Sequence, residues 1–330
     1  MKVCVVGAGA VGGWIGARLA TRGGAAVSAL ARGDTLRALQ TRGWRLQQHG
    51  ELLVAPCTAA SDQAQTLGPQ DLVVLTVKAP ALASIAPTLL PLLRDDTIVL
   101  PAMNGVPWWF CRDVPGIGTA PLQSLDPDGA IAQALPQARL IGCVVHASVR
   151  SAEPGLSDHR MGNHLIVGEP ARGRSQRAEG IAQLLRAAGF DVTHSDDIRR
   201  DIWFKLWGNM TMNPVSALTG ATLDQLLADP LVRRLCSAAM LEAASVGDRL
   251  GCHIEQTPED RHALTAQLGA FRSSMLQDVD HGRTIELDAL LGAVCELGLR
   301  LDLPLPHCDA LFGLTRLFAR VRGIYPSGML

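Results

Sequence analysis

The feature that most constrains this chain is a glycine-rich turn that begins at residue 7. A short β-branched run, Lys2–Val6, ends in Gly7-Ala-Gly-Ala-Val-Gly12, and small and apolar residues dominate the following stretch to residue 20. Strand, glycine turn and helix follow one another in this order in a dinucleotide-binding unit. The first glycine permits the tight turn, the second lets the backbone approach a pyrophosphate, and the third lets the helix pack on the strand. We therefore predict that the turn binds a cofactor through Gly7, Ala8, Gly9, Ala10, Val11 and Gly12. The alternative is a glycine-rich turn without a ligand.

Composition excludes several classes of protein. With 330 residues the chain is long enough for two domains, and its 48% hydrophobic content is typical of a protein with a substantial buried core. Lys plus Arg total 30 against 31 for Asp plus Glu. A net charge of −1 gives no electrostatic footprint for nucleic acid and makes a membrane partner unexpected.

The eight cysteines are scattered singly, without a C-x-x-C pair or a short Cys/His cluster. This pattern favours reduced structural thiols in a cytoplasmic protein and predicts no metal site. The N-terminus lacks the basic and apolar regions of a signal peptide, and no apolar run approaches the roughly 20 residues of a membrane span.

The end of the second predicted strand, residues 25–31, indicates which dinucleotide is bound. An acidic residue about 20 positions beyond the glycines would bind the ribose 2′-hydroxyl of NAD. Arg32 and Gly33 occupy that place, with Asp34 one step later. A cation there suits a 2′-phosphate, so the sequence favours NADP(H). A solvated surface arginine is the alternative interpretation of Arg32.

Two further apolar strands each deliver a polar residue at their carboxyl end. Residues 71–77 lead to Lys78, and residues 96–101 lead to Asn104 and Gly105. Ligands of open α/β sheets bind outside the carboxyl ends of the strands, so Lys78 and Asn104 are predicted site residues. Asn-Gly is also an ordinary turn sequence. Strands are predicted at 139–149, 164–168 and 190–193, with an amphipathic helix at 176–188.

The segment from 107 to 127 interrupts the alternation of strands and helices with Pro, Gly and aromatic residues, including Trp108 and Trp109. We interpret it as an inserted loop whose aromatic side chains shape a substrate pocket or a lid. A patch that only packs against the domain surface fits the sequence equally well.

Beyond residue 195 the strands stop and helical patterns follow at 196–212, 223–250, 258–278 and 284–300. The sequence therefore predicts an α/β protein with two domains. Residues 1–195 form a Rossmann-type dinucleotide-binding domain, and residues 196–330 form an all-helical domain for substrate binding and catalysis.

The first of these helices carries three polar residues in a bulky apolar run. Lys205, Asn209 and Asn213 are four residues apart, so they share one helix face. Large apolar neighbours place the amine and the amides at the mouth of a pocket. The alternative is a helix that pairs Lys205 with Asp201 and ends near Pro214.

A helix, turn and helix over 271–288 would bring Ser274 close to Glu286, although twelve residues separate them. A hydroxyl and a carboxylate could then complete the same site. An ordinary helical serine and a first-turn acid explain both residues without a function.

Taken together, these residues resemble the ketopantoate reductase (2-dehydropantoate 2-reductase) family over nearly the whole chain. The motifs are the glycine turn, Val-Lys-Ala at 77–79, Asn-Gly at 104–105, Trp-x-Lys-Leu-x-x-Asn-x-x-x-Asn-Pro at 203–214, and Ser-Ser-Met-Leu-Gln-Asp at 273–278 followed by Glu286. The last two are specific, because both the residues and the spacings match.

The resemblance implies that Lys205 is the general acid and that Glu286 orients the substrate and the lysine. It implies NADPH as hydride donor, with Arg32 and Lys78 on the cofactor side. It also implies substrate hydrogen bonds from four polar residues: Asn104, Asn209, Asn213 and Ser274.

The expected reaction is therefore the NADPH-dependent reduction of 2-dehydropantoate to (R)-pantoate in pantothenate biosynthesis. Two departures leave another 2-oxo acid or ketone as an alternative substrate: the aromatic segment at 107–127, and Ile285 where the family often has threonine. A non-catalytic dinucleotide-binding regulator is the alternative from another class. Any homodimer is expected to form through the helical domain.

Overall fold

The structure of the protein, a computed structural model, describes residues 1–112, 114 and 116–325. Its contacts divide the chain into two compact units. The first joins Met1–Met103 to Gly129–Asp201, and the second joins Asn104–Asp128 to Ile202–Leu330. The sequence prediction placed a single boundary between residues 195 and 196. The units differ from it because residues 104–128 pack with the later helices.

The first unit combines strands and helices in the alternation that the sequence predicts. Its strands are β1 (Lys2–Val6), β2 (Ala26–Leu30), β3 (Trp44–Gln48), β4 (Glu51–Ala55), β5 (Ala60–Ser61), β6 (Leu72–Leu75), β7 (Ile98–Pro101), β8 (Gly142–Glu153), β9 (Leu156–Gly168) and β10 (Asp191–Ser195). Its α-helices are α1 (Ala10–Arg22), α2 (Gly33–Arg42), α3 (Ala64–Leu67), α4 (Ala79–Ile85), α5 (Ala130–Ala134) and α6 (Gln176–Ala187). Short 3₁₀ helices cover Ala86–Leu92 and Gln137–Arg139.

A five-stranded parallel sheet, in the order β5-β2-β1-β6-β7, forms the centre of the nucleotide-binding fold. In β1, Val5 pairs with Ala29 of β2 and with Val74 of β6. These central strands are buried on both faces, as their continuous apolar sequences predict. The prediction of a Rossmann-type α/β fold followed by a helical region is confirmed.

A second, mixed sheet in the same unit was not predicted in full. Its order is β10-β9-β3-β4, with β8 antiparallel to β9. The β3–β4 hairpin was missed. Its two-residue turn consists of His49 and Gly50, which both have positive φ, as a turn of type I′ requires. Strands β8 and β9 extend well beyond the predicted ranges, because each covers the other along an antiparallel ladder.

The second unit is helical after its first segment. Its helices are α7 (Ile198–Thr219), α8 (Leu223–Ala228), α9 (Pro230–Arg249), α10 (Pro258–Ala266), α11 (Ser274–Asp280), a π-helical turn at Asp288–Gly292, α12 (Ala293–Arg300) and α13 (Pro306–Val321). The helix α13 was not predicted.

Two of the predicted long helices are interrupted at capping residues. The predicted helix at 223–250 breaks where Asp229 caps α9 and Pro230 takes its first position. The predicted helix at 258–278 breaks before Ser273, whose hydroxyl accepts from the Leu276 amide at the start of α11. Pro214, by contrast, lies inside α7 instead of ending it.

Large aromatic side chains form the core of the helical unit. Trp203 and Trp207 of α7 are almost fully buried, and the Trp207 indole donates to the Met240 carbonyl at 2.7 Å.

Across the described residues, none of the helices combines the length and the apolar composition of a membrane span.

Candidate active site

The glycine turn between β1 and α1 has a shape that two of its glycines require. Gly7 has a φ of +89°, and a Cβ there would meet Val77 Cγ1 at 2.7 Å. At Gly12 a Cβ would lie 2.3 Å from the Gly7 carbonyl oxygen and 2.4 Å from Thr76 Oγ1. A Cβ at Gly9, the N-cap of α1, would meet nothing within 4 Å. The exposed space at Gly9 leaves the N-terminus of α1 accessible to a phosphate group.

Two hydroxyl groups that sequence reasoning missed fasten this turn. Thr76 Oγ1 donates to the Gly7 carbonyl oxygen at 2.7 Å, and Ser157 Oγ donates to the Ala10 carbonyl oxygen at 2.9 Å. Thr76 is the only hydroxyl residue in the apolar run 71–77, and this was the only sequence feature that could have marked it as a contact of the turn. No sequence feature marked Ser157, because 147 residues separate it from its partner.

The end of β2 fits a phosphorylated ribose. Arg32 is exposed at the N-cap of α2, and within the described ranges its guanidinium has neither a hydrogen-bond nor an ion-pair partner. Asp34 accepts from Arg37, so its carboxylate is already paired. An available cation beside a neutralised acid suits a 2′-phosphate better than a free ribose hydroxyl. Lys78, the other predicted cofactor residue, is half-buried at the N-cap of α4.

In the helical unit the predicted lysine meets a predicted asparagine. Lys205 Nζ donates to Asn104 Oδ1 at 2.7 Å, and both side chains are half-buried. Asn104 is held by the turn that follows it, because the Val106 amide donates to the Ala289 carbonyl oxygen at 2.8 Å. Gly105 has a φ of +84°, and a Cβ there would lie 2.5 Å from the same oxygen. The Asn-Gly sequence therefore forms a turn and also presents a side chain to Lys205.

Two other predicted residues approach each other at the far end of the lysine face. Asn213 Nδ2 lies 3.5 Å from Ser274 Oγ, which is the long limit of a hydrogen bond. Ser274 is the exposed first residue of α11, and Asn213 is buried on α7. Asn209 lies half-buried on α7 between Lys205 and Asn213, one helical turn from each.

Glu286 lies just before the π-helical turn at Asp288–Gly292. It is half-buried between Ile285 and Leu287, which are both fully buried. The Ile285 amide donates to the Ile324 carbonyl oxygen at 3.0 Å, so the backbone next to Glu286 is anchored to the segment after α13. Ile285, which departs from the family pattern, therefore contributes a backbone contact and a core side chain.

Asp201, the alternative partner of Lys205, has a local partner of its own. Its carboxylate accepts a hydrogen bond from Ser195, in the loop before α7. Burial raises the pKa of Asp201 above the ordinary carboxyl value. The Lys205 contact with Asn104 and the Asp201 contact with Ser195 favour the interpretation of Lys205 as a site residue.

The aromatic residues of the segment 107–127 pack inside the helical unit. Trp108, Trp109 and Phe110 are buried, and the Phe110 ring stacks on Trp203 with centroids 5.8 Å apart. The three rings pack, as the alternative interpretation held, but they lie in the core of the helical unit and not on a domain surface. In the described residues no group of three His, Cys, Asp or Glu side chains is placed to hold a metal ion.

The helical site can stabilise and protonate an oxygen that gains negative charge. The Lys205 ammonium has three N–H donors and directs one to a neutral amide oxygen. Asn209 and Asn213 each offer an amide donor and an acceptor without adding charge. Ser274 adds a hydroxyl next to Asn213, and Glu286 lies on the segment that leads into the π-helical turn.

Comparison with known proteins matches both parts of the chain to one family. Residues 3–172 match the family described as Ketopantoate reductase PanE/ApbA, and residues 197–319 match Ketopantoate reductase PanE/ApbA C terminal. A protein from Mesorhizobium japonicum named 2-dehydropantoate 2-reductase is 43% identical over 326 residues, which cover 98% of this chain and 100% of that protein.

Solved structures share the same fold. A protein from Ralstonia solanacearum MolK2, described provisionally as a ketopantoate reductase, superposes with a TM-score of 0.93 at 52% identity, covering 98% of this chain and 99% of that one. A D-mandelate dehydrogenase solved with NADH and anilino(oxo)acetate superposes with a TM-score of 0.84 at 20% identity, covering 98% of this chain and 100% of that one. At that identity the likeness concerns the fold alone.

Proposed function

This chain belongs to the ketopantoate reductase family of dinucleotide-binding oxidoreductases, and from that premise we propose that it reduces 2-dehydropantoate to (R)-pantoate with NADPH. The reaction would serve pantothenate and coenzyme A biosynthesis. The observation that carries the proposal is the 2.7 Å hydrogen bond from Lys205 to Asn104, on a helix face that also presents Asn209 and Asn213.

The proposed chemistry assigns the proton to Lys205. A nicotinamide cofactor held at the glycine turn would supply the hydride for the 2-oxo carbon of the substrate. Negative charge then develops on the former carbonyl oxygen, where an ammonium at hydrogen-bond distance stabilises it and donates the proton. A positioned general acid of this kind contributes about 10²–10⁴-fold to the rate. Solvent returns a proton to Lys205 after release of the 2-hydroxy acid.

The neighbouring groups are proposed to hold the substrate. Glu286 orients the substrate hydroxyl and the lysine. The carboxylate and hydroxyl of the substrate receive hydrogen bonds from Asn104, Asn209, Asn213 and Ser274. Neutral amides suit this task, because a second cation or anion would compete with the Lys205 contact.

NADPH is proposed over NADH on two observations in the nucleotide-binding unit. Arg32 has no partner within the described residues, and Asp34 is paired with Arg37. Lys78 at the start of α4 supplies a second cation on the cofactor side.

A panel of 2-oxo acids with NADPH, followed by nicotinamide absorbance, tests the function. The proposal predicts the highest kcat/KM for 2-dehydropantoate. Preference for a different 2-oxo acid or ketone would keep the mechanism and replace the substrate. Cofactor binding without NADPH oxidation by any compound would establish a non-catalytic regulator.

The proposed protein partner is a second copy of this chain, joined through α13. Leu314, Leu317 and Val321 share one helix face and are 62%, 61% and 80% exposed. In an antiparallel pair that packs Leu314 of one copy on Leu317 of the other, Asp309 of one copy faces Arg322 of the other. Sedimentation should show a dimer that Leu317→Asp dissociates. A monomeric wild type would contradict this assignment.

The cytoplasm is the proposed compartment. None of the eight cysteines forms a disulfide within the described residues, and six of them are buried. Burial raises the pKa of Cys4 to about 12 and that of Cys236 to about 11, so these thiols stay protonated at neutral pH. Eight cysteines without a disulfide among them suit a reducing environment.

A further inference from the structure

The only tyrosine of the chain donates a hydrogen bond to a buried carboxyl group of the helical unit. Tyr325 Oη lies 2.6 Å from Asp288 Oδ1, and each residue is 8% exposed. The Arg320 guanidinium covers the tyrosine ring at 5.4 Å from its centroid. Thirty-seven residues separate the pair. The contact therefore ties the segment after α13 to the turn before α12.

The Tyr325 hydroxyl is the side-chain hydrogen-bond donor to the Asp288 carboxyl group. Its second oxygen, Oδ2, is buried and has no hydrogen-bond partner in the described part of the chain. Burial raises the pKa of Asp288 above the ordinary carboxyl value. A buried carboxyl group with a single side-chain donor is costly to keep for stability alone.

The pair lies beside the proposed substrate residue Glu286. Asp288 opens the π-helical turn two residues after Glu286, and the Ile285 amide donates to the Ile324 carbonyl oxygen at 3.0 Å. The segment 324–325 therefore holds the backbone of Ile285 and the carboxyl group of Asp288, on the two sides of Glu286. Single π-helical turns are rare, and they occur often at functional sites. Here the contacts from Ile324 and Tyr325 hold the residues at and before the turn.

The same turn also holds Asn104. The carbonyl oxygen of Ala289, the residue after Asp288, accepts from the Val106 amide at 2.8 Å. Asn104 in turn accepts from Lys205 at 2.7 Å. A continuous series of contacts thus runs from Tyr325 through the π-helical turn to the lysine.

We propose that Tyr325 and Asp288 are positioning residues, which hold Glu286 and Asn104 in register with Lys205. The inference rests on the proposed function, because it assigns the pair a role through the groups of that site. Neither residue needs to touch substrate or cofactor.

The first test removes the hydroxyl and keeps the ring. Tyr325→Phe should lower kcat/KM for 2-dehydropantoate about tenfold, equivalent to about 1.4 kcal/mol. The Kd for NADPH should change less than twofold, because the glycine turn and Arg32 belong to the other unit. Arg233→Ala is the control: Arg233 pairs with Glu259 elsewhere in the helical unit, and its loss should leave kcat/KM unchanged.

Variants of the carboxyl group separate positioning from packing. Asp288→Asn retains an acceptor for the Tyr325 hydroxyl and should stay within threefold of wild-type kcat/KM. Asp288→Ala should match Tyr325→Phe, and the double variant should be no worse than either single one. All rates are measured well below the Tm of each variant, so that a loss of stability does not mimic a loss of rate.

A readout independent of turnover uses the three lysines of the chain, at positions 2, 78 and 205. In protein with ¹³C-labelled lysine, Tyr325→Phe should shift the Lys205 Cε resonance and its titration midpoint, and leave Lys2 and Lys78 unchanged. An unchanged Lys205 resonance with unchanged kcat/KM would overturn the inference and leave the pair a packing role. If the wild type turned over no 2-oxo acid, the proposed function would fail, and the resonance would still decide the inference.

Discussion

Replacing two glycines of the nucleotide turn by alanine should separate folding from cofactor binding. A Cβ at Gly12 would lie 2.3 Å from the Gly7 carbonyl oxygen and 2.4 Å from Thr76 Oγ1, about 1 Å closer than ordinary carbon–oxygen contacts. The turn or β1 must therefore shift, and overpacking of this kind costs about 1–3 kcal/mol. At about 2–4 °C per kcal/mol, Gly12→Ala should lower Tm by several degrees and weaken NADPH binding.

Gly9→Ala should have the opposite balance of effects. Its Cβ would meet nothing within 4 Å, and its φ of −78° is open to any residue. Alanine restricts the unfolded chain more than glycine does. The free energy of unfolding should therefore stay the same or rise by up to about 1 kcal/mol. The added methyl group occupies the space through which a pyrophosphate approaches the backbone, so the Kd for NADPH should rise at least about tenfold.

Thermal melts and fluorescence titration with NADPH measure both effects in parallel. Gly180→Ala is the control, because a Cβ at that position in α6 also meets nothing within 4 Å and lies in a different helix. A Gly9→Ala variant that binds NADPH like the wild type would refute the placement of the pyrophosphate at this turn. A Gly12→Ala variant with unchanged Tm would refute the packing argument.

Arg32→Ala should raise the Kd for NADPH about 10–100-fold and the Kd for NADH less than twofold, because one charge-assisted contact contributes about 1.5–3 kcal/mol. Titrations of both nucleotides check this, with Arg42→Ala as control because Arg42 lies on the same helix and pairs with Glu153. Equal losses for the two nucleotides would count against a 2′-phosphate site. Burial raises the pKa of Asp288, so the native state keeps a proton that the unfolded chain has lost above pH ~4. The wild-type unfolding free energy should therefore fall, relative to Asp288→Asn, as the pH rises from about 4 through the raised pKa. Urea unfolding across this range tests the sign, and parallel pH profiles would contradict it.

Local sequence order was sufficient to predict the glycine turn and the central parallel strands of the nucleotide-binding unit. The turn at Gly7–Gly12 follows a strand and precedes a helix, and each step is decided by neighbouring residues. The central strands β6 and β7 were visible because a strand buried on both faces needs a continuous apolar run. The β3–β4 hairpin escaped prediction because its five-residue strands carry only two inward apolar side chains each.

Contacts between distant residues could not be predicted. The packing of the aromatic segment depends on Phe110 meeting Trp203, and no local pattern reports that pairing. The helix α13 was missed although its sequence has an amphipathic pattern, and its Leu314 and Leu317 are exposed.

In the candidate site, too, local features could be predicted and contacts between distant residues could not. The spacing of Lys205, Asn209 and Asn213 on one helix predicted their common face, since helical periodicity is local. The partner of the lysine, Asn104, lies 101 residues away, and only the family resemblance connected the two. The pair Asp288 and Tyr325 had neither a local pattern nor a motif.

The measurement that tests the central claim most directly is the turnover of Lys205→Ala on the best 2-oxo acid substrate. If Lys205 protonates the developing alkoxide, kcat should fall about 10²–10⁴-fold, while the Kd for NADPH stays within twofold of the wild type. Circular dichroism and Tm establish that the variant is folded. A Lys205→Ala enzyme with near-wild-type kcat would contradict the assignment of this lysine as the proton donor.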